Sequence, residues 1–202
     1  MKIALAAALL ALAAVPAAAQ MAAPGVPDLK RVAAGTYAAD PAHTQVAWSI
    51  NHLGFSIYDG IFGSATGTLT LDAAHPAAAS VAIEVPVSGL VTTVPALDEH
   101  LKKPDFFDAA KFPTVSFKST AVTVRGREAT IAGQLTLHGV TRPVTLAARF
   151  VGAGTNPLSK KATIGFAATT TIKRSDFGMS FFAPALGDVV DLRINAAFER
   201  VE

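Results

Sequence analysis

Apolar and polar side chains alternate with a period of two in segment after segment of this chain, and that constrains it more than any other feature. Successive side chains of an extended strand point to opposite faces, so this pattern builds sheets with one apolar side. In 46–52, Val46, Trp48 and Ile50 share a face, with Ala47, Ser49 and Asn51 opposite. In 60–72, Gly63, Ala65, Gly67, Leu69 and Leu71 share a face, and the small residues there mark either room inside or a bend in the strand. The pattern recurs in 81–85, in the short 115–117 and on both sides of an Arg125-Gly126-Arg127 turn. It returns after a turn over 138–143 as Val144, Leu146, Ala148 and Phe150. It then runs through 162–172 and ends with Val190, Leu192, Ile194, Ala196 and Phe198. Roughly eight strands at hairpin spacing result, which is the pattern of an antiparallel sandwich or barrel.

One stretch departs from the period. Residues 93–103 read as a short helix, with Thr93 as its cap, Pro95 in the first turn and Pro104 after its end. Asp105-Phe106-Phe107-Asp108 reads as a second helical turn. Leu97 and Leu101 lie one turn apart and would pack inward, so this insertion is expected to plug or lid one end of a barrel.

The ends and the bulk composition narrow the setting. Lys2, an apolar run over 3–15 and Ala17-Ala18-Ala19 have the form of a cleaved export signal over 1–19, too short to span a membrane. Residues 20–35, with prolines and no period, are expected to be a flexible leader, and 36–202 to be one domain. The formal net charge is +2, scattered without a basic stripe, so no nucleic-acid partner is expected. With 0 cysteines, a disulfide framework and a thiol nucleophile are excluded.

No catalytic constellation is expected from these residues. There is no nucleophile elbow, phosphate-cradling loop or paired-glycine dinucleotide motif. The histidines are His43, His52, His75, His100 and His138, without zinc-type spacing, so no metal is expected. His43 and His52 read as lying on one strand, too far apart to share an ion, and His75 reads as a loop residue. His52 falls on the same face as Val46, Trp48 and Ile50. It is either a core histidine bonded to backbone or a polar tip at the end of an apolar wall, as a pocket for a greasy ligand with a polar head would need. His100 either tethers the helix or walls the cavity beside that head. Arg142 either pairs with an acid such as Asp98 or Asp176, or contacts an anion.

The ordered set Asp40-Pro41-Ala42-His43-Thr44, Asn51-His52-Leu53-Gly54, Asp98-Glu99-His100-Leu101, Asp105-Phe106-Phe107-Asp108, Phe112-Pro113, residues 133–144 and Arg174-Ser175-Asp176-Phe177-Gly178 resembles the YceI-like family of secreted polyisoprenoid-binding proteins, over about 37–202. The resemblance implies an all-β fold: an extended eight-stranded antiparallel lipocalin-like barrel with a short helical lid. It also implies a long apolar tunnel for isoprenoid or fatty chains, a periplasmic location, often a homodimer, links to stress and no established enzymatic activity. Leu97 stands where that family usually has an arginine, which favours a neutral head such as a quinone or amide, or else a rearranged lid.

The expected wall is Trp48, Ile50, His52, Phe55, Phe62, Phe117, Leu135, Phe166 and Met179, with His100 and Arg142 as polar candidates. The expected ligand is an isoprenoid or other long-chain lipid, with no further cofactor and no stable membrane insertion. Two rivals are an outer-membrane β-barrel, whose aromatic C-terminus and tyrosine girdle are missing here, and a quinone-linked redox accessory protein.

Overall fold

A computed structural model describes residues 22–72 and 74–201; the expected export signal lies outside the described residues. The strands are β1 (Gly35–Ala39), β2 (Gln45–His52), β3 (Ser56–Phe62), β4 (Thr66–Leu71), β5 (Ser80–Pro86), β6 (Leu90–Val91), β7 (Thr114–Arg125), β8 (Glu128–Leu137), β9 (Val140–Thr155), β10 (Ala162–Lys173) and β11 (Leu186–Arg200). One helix, α1 (Pro95–Leu101), follows β6.

Six of these segments are halves of longer strands. β11 pairs with β1 at one end, Ala39 opposite Phe198, and with β2 along the rest, from Asn195 opposite Gln45 to Val190 opposite Ile50. β1 and β2 are therefore one interrupted strand. By the same logic β3 continues into β4, and β5 into β6. With β7 to β11 in meander order, this makes a closed antiparallel barrel of eight long strands, as expected from the alternation. Closure leaves few free sheet edges.

The interruptions have local causes. At 40–44 the chain turns out of the ladder, and the buried Thr44 hydroxyl repairs the gap, donating to Ala197 O at 3.2 Å and accepting from Ala197 N at 3.3 Å. His43 lies in this turn, 2.6 Å from Asp40 Oδ2, and not on the strand of His52 as expected. Segment 60–72, expected as one strand, breaks at 63–65, where Ser64 takes φ 59° and Gly63 N donates to Gly89 O.

Two inward glycines make room for aromatic rings. A side chain at Gly60 would collide with the Trp48 indole, and one at Gly133 with the Phe117 ring. His138 and Gly139, at φ 51° and 73°, form a two-residue hairpin turn matched to the twist of its strands. The turn expected over 138–143 is that much shorter, and Arg142 lies within β9, opposite Leu135.

The lid also differs from expectation. Val94, not Thr93, is the N-cap of α1, and no side chain caps it. Asp98 Oδ1 instead accepts from Thr92 N and Thr92 Oγ1, both at 2.6 Å, which ties the helix back to the end of β6. Residues 105–108 form turns and not a helical turn, because Phe107 N bonds Leu101 O and folds the chain back under the helix.

Residues 22–35, expected as a flexible leader, lie against the barrel. Val26 bridges Ala153 through bonds of 3.1 and 2.9 Å. Asp28 caps a 3-10 turn, Leu29–Arg31, and the buried Tyr37 hydroxyl donates to Ala33 O at 2.6 Å. This strap approaches closely because β9 carries Gly152 and Gly154 beneath it; a side chain at Gly154 would collide with Pro24 O. Composition predicted an open chain here, since the contact depends on backbone and on two glycines far along the sequence.

Candidate functional site

Buried apolar residues form three separate clusters: one around Tyr37, Phe150, Ile164 and Phe198, one around Trp48, Phe62, Leu90 and Leu101, and one around Leu135, Ile172, Phe177 and Met179. Half-buried residues bridge them, Ile83 between the first two and Phe107, Val115, Val190 and Leu192 between the second and third. Between the clusters runs a cavity of about 970 Å³, at the upper end of the range for ligand sites. The alternation of β11 builds one wall: Val190, Leu192, Ile194, Ala196 and Phe198 face in, and Asp191, Arg193, Asn195 and Glu199 face out. At strand rise those inward side chains alone span about 26 Å.

Of the residues nominated from sequence, Trp48, Ile50, Phe62, Phe117, Leu135, Phe166 and Met179 line the cavity. His52 and His100 line it at one end and are exposed there, so neither is a core histidine. Two nominations are corrected. Phe55 is 90 % exposed, because the β2–β3 hairpin carries it beyond the barrel rim. Arg142 has the inward parity of Val144 but is exposed at the end of the barrel and does not line the cavity; its Nε donates to the backbone carbonyl of Asp176 at 3.1 Å, bracing the turn after β10.

A train of rings leads out of the cavity at the His52 end. Trp48 and Tyr58 are 6.3 Å apart, and Tyr58 and His52 are 6.2 Å apart. Across the mouth, His100 packs on Phe106 at 5.0 Å, Phe106 on Phe181 at 5.4 Å and Phe181 on Phe182 at 6.0 Å. Phe181 and Phe182 both line the cavity and are largely exposed. Leu29 and Val32 of the strap line the opposite end, with Arg127 and Glu128 of the β7–β8 turn nearby on the same wall.

The sequence reading missed Tyr58 and Arg174. Tyr58 shares parity with Gly60 and Phe62 in β3, so the alternation already pointed it inward. Arg174 continues the inward parity of Ile172 one step past β10. It is 5 % exposed and donates to Gly187 O, Met179 O and Leu186 O at 2.8, 2.6 and 3.0 Å, which fastens the 179–187 loop to the barrel. Burial lowers its pKa, and the nearby Asp188 acts in the opposite direction. The Asp188 carboxyl is held below the usual range chiefly by the Ser175 N–H, with help from the Ser175 hydroxyl and the Arg174 and Lys173 charges.

Among the described residues, no group of three His, Asp or Glu side chains could hold a metal ion. No described helix is long and apolar enough to cross a membrane. The wall is apolar along its length, with polar side chains confined to a few points.

Comparison with known proteins agrees with this architecture. UPF0312 proteins of Pseudomonas putida strain W619 and of Vibrio cholerae strain M66-2 are 41 % and 39 % identical, each over 68 % of this chain and over 71 % and 73 % of their own. The crystal structure of BcnA of Burkholderia cenocepacia superposes with a TM-score of 0.70 at 21 % identity, covering 79 % of this chain and 98 % of that one. A polyisoprenoid binding domain from Saccharophagus degradans superposes with a TM-score of 0.59 at 11 % identity, over 82 % and 98 % of the two chains, and so shares the fold. The profile described as YceI-like domain matches residues 37–198, nearly the whole barrel, and on that match the chain belongs to the YceI-like family.

Proposed function

We propose that this protein binds a long-chain apolar lipid, an isoprenoid or fatty chain, in its tunnel and carries or sequesters it in the periplasm after export. The observation that carries the reading is the cavity of about 970 Å³ inside the barrel, lined almost wholly by apolar side chains. Burial of each methylene contributes about 0.8 kcal/mol, so a twenty-carbon chain contributes roughly 16 kcal/mol before the costs of association and of ordering the chain. A fold shared with a polyisoprenoid binding domain supports the same ligand class. The wall supplies apolar contact and a few polar points, which suits binding and not turnover.

The direction of the side chains argues against a barrel set in a membrane. Such barrels turn apolar residues to the lipid, whereas here Asp191, Arg193 and Glu199 face out and the apolar set faces in. Purification without detergent is the corresponding expectation.

The reading is tested by expressing the full chain for export, purifying it from the periplasm, extracting it with organic solvent and identifying the extract by mass spectrometry. A long-chain lipid in near-stoichiometric amount is expected. An extract empty of lipid, from a protein that also takes up no long-chain ketone or alkane when offered, would overturn it.

A further inference from the structure

Resting on that reading, we infer that Trp48 and Tyr58 receive the polar end of the ligand, and that this end is a neutral group with an accepting oxygen, such as a carbonyl. Trp48 is 9 % exposed, and its Nε1 is buried without a hydrogen-bond partner among the protein's groups. Tyr58 Oη is buried and equally without a partner. Among the described residues these are the two buried side-chain polar atoms in that condition. Both side chains line the tunnel, on neighbouring strands, with ring centroids 6.3 Å apart. Buried polar groups are almost always paired, so these two orphans on neighbouring strands call for a partner; both atoms are covered as the rings stand, and a ligand oxygen reaches them by a turn of the rings toward the tunnel.

The chemistry of the pair selects that partner. An indole N–H only donates, and a phenol hydroxyl can donate, so together they suit one oxygen with two lone pairs. Gly60 holds the arrangement open, since any side chain there would displace the indole. An anionic head needs cations with donors to spare. Arg174, the cation on this part of the wall, is 5 % exposed and spends three of its five N–H donors on backbone carbonyls. The other ionisable side chains lining the cavity at this end are His52, with its ring 6.2 Å from Tyr58, and His100, packed on Phe106. The ligand would therefore lie with its oxygen near the mouth and its tail toward Phe166 and Phe198.

The chain holds 1 tryptophan, so a single indole N–H resonance reports this site directly. The probes are nonadecane, 2-nonadecanone and octadecyl phosphate, delivered to delipidated protein. The ketone is expected to bind about tenfold more tightly than the alkane and to shift the indole N–H downfield, which the alkane does not. Tyr58→Phe is expected to cut the ketone's advantage over the alkane to about threefold, and Trp48→Phe, followed by calorimetry, should cut the same ratio, which cancels any loss of wall contact common to both probes. Equal binding of ketone and alkane, or an advantage for ketone or phosphate that survives both substitutions, overturns the inference while leaving the tunnel intact. An indole N–H that keeps the same shift with every bound probe shows that water alone occupies the site, with the same consequence. Failure of all three probes to bind overturns the tunnel reading and this inference together.

Discussion

The two ends of the barrel are built differently. At the strap end, Tyr37, Ile164, Phe150 and Phe198 are almost wholly buried, and Tyr37 reaches up to hold the strap by Ala33. At the lid end, His52, His100, Phe181 and Phe182 line the cavity while exposed to solvent, and the covering loop is held by one buried arginine. The first end packs a buried apolar cluster beneath the strap, with exposed Leu29, Val124, Arg127 and Glu128 at its rim. The second is covered by a helix, turns and an anchored loop, and it holds the unpartnered Trp48 and Tyr58 atoms. A tunnel with unlike ends gives its ligand a direction.

The comparison breaks most easily at Arg174. Arg174→Met removes the donor from three backbone carbonyls in a buried setting and is expected to lower stability by about 3 kcal/mol. Urea unfolding measures the loss, and proteolysis is expected to begin in the 179–187 loop while the strap stays protected. At the other end, Tyr37→Phe deletes the bond to Ala33 O and is expected to cost about 1.5 kcal/mol, read by the same titration. Strap protection should fall with it, and lid protection should not.

Gly154→Val sharpens the contrast with less effect on the whole. The added side chain collides with Pro24 O, so the strap should lift from β9 at a global cost below about 1 kcal/mol. Amide exchange at Val26 and Ala153, whose two bonds fasten the strap, is expected to accelerate strongly. Unchanged exchange there would show that the strap does not depend on the glycine.

The smallest effect expected is on acid sensitivity. The folded pKa of Asp188 lies below its ordinary value, so its contribution is present above the usual carboxylate pKa, about 4, and is lost as pH falls through the depressed folded value. Acid should therefore loosen the turn at Ser175 at the lid end. Asp188→Asn should flatten that part of the stability curve; an identical acid limb in both proteins would count against the assignment.

Legibility from the sequence followed locality. Trp48, Ile50, Phe117, Leu135 and Phe166 are readable as wall because parity along a strand is a property of the strand alone, whereas Phe62 has the parity of Ser64 in an unbroken 60–72 strand and faces in with Leu69 because the strand breaks at 63–65. Tyr58 has inward parity with Gly60 and Phe62, but it lies between two alternating runs, 46–52 and 60–72, where the pattern by itself marks no strand. Phe55 was placed in the wall by its nearness to His52, but a strand's period says nothing about where the barrel rim cuts it. Arg142 could not be placed because the length of its turn depended on His138 accepting a left-handed conformation. Thr93 looked like a cap by type, while the bond that ties α1 down runs from Thr92 to Asp98.

What the amino-acid order determined by itself is the barrel and the direction of its greasy faces, because a two-residue period fixes which way each side chain leaves an extended backbone. Only the tertiary structure decided that three of the long strands are interrupted, that a proline-bearing N-terminal stretch seats on two glycines of β9, and that an indole and a phenol meet without partners inside the tunnel. Each of these depends on which strands come to lie side by side, and register between distant segments is settled only when the barrel closes.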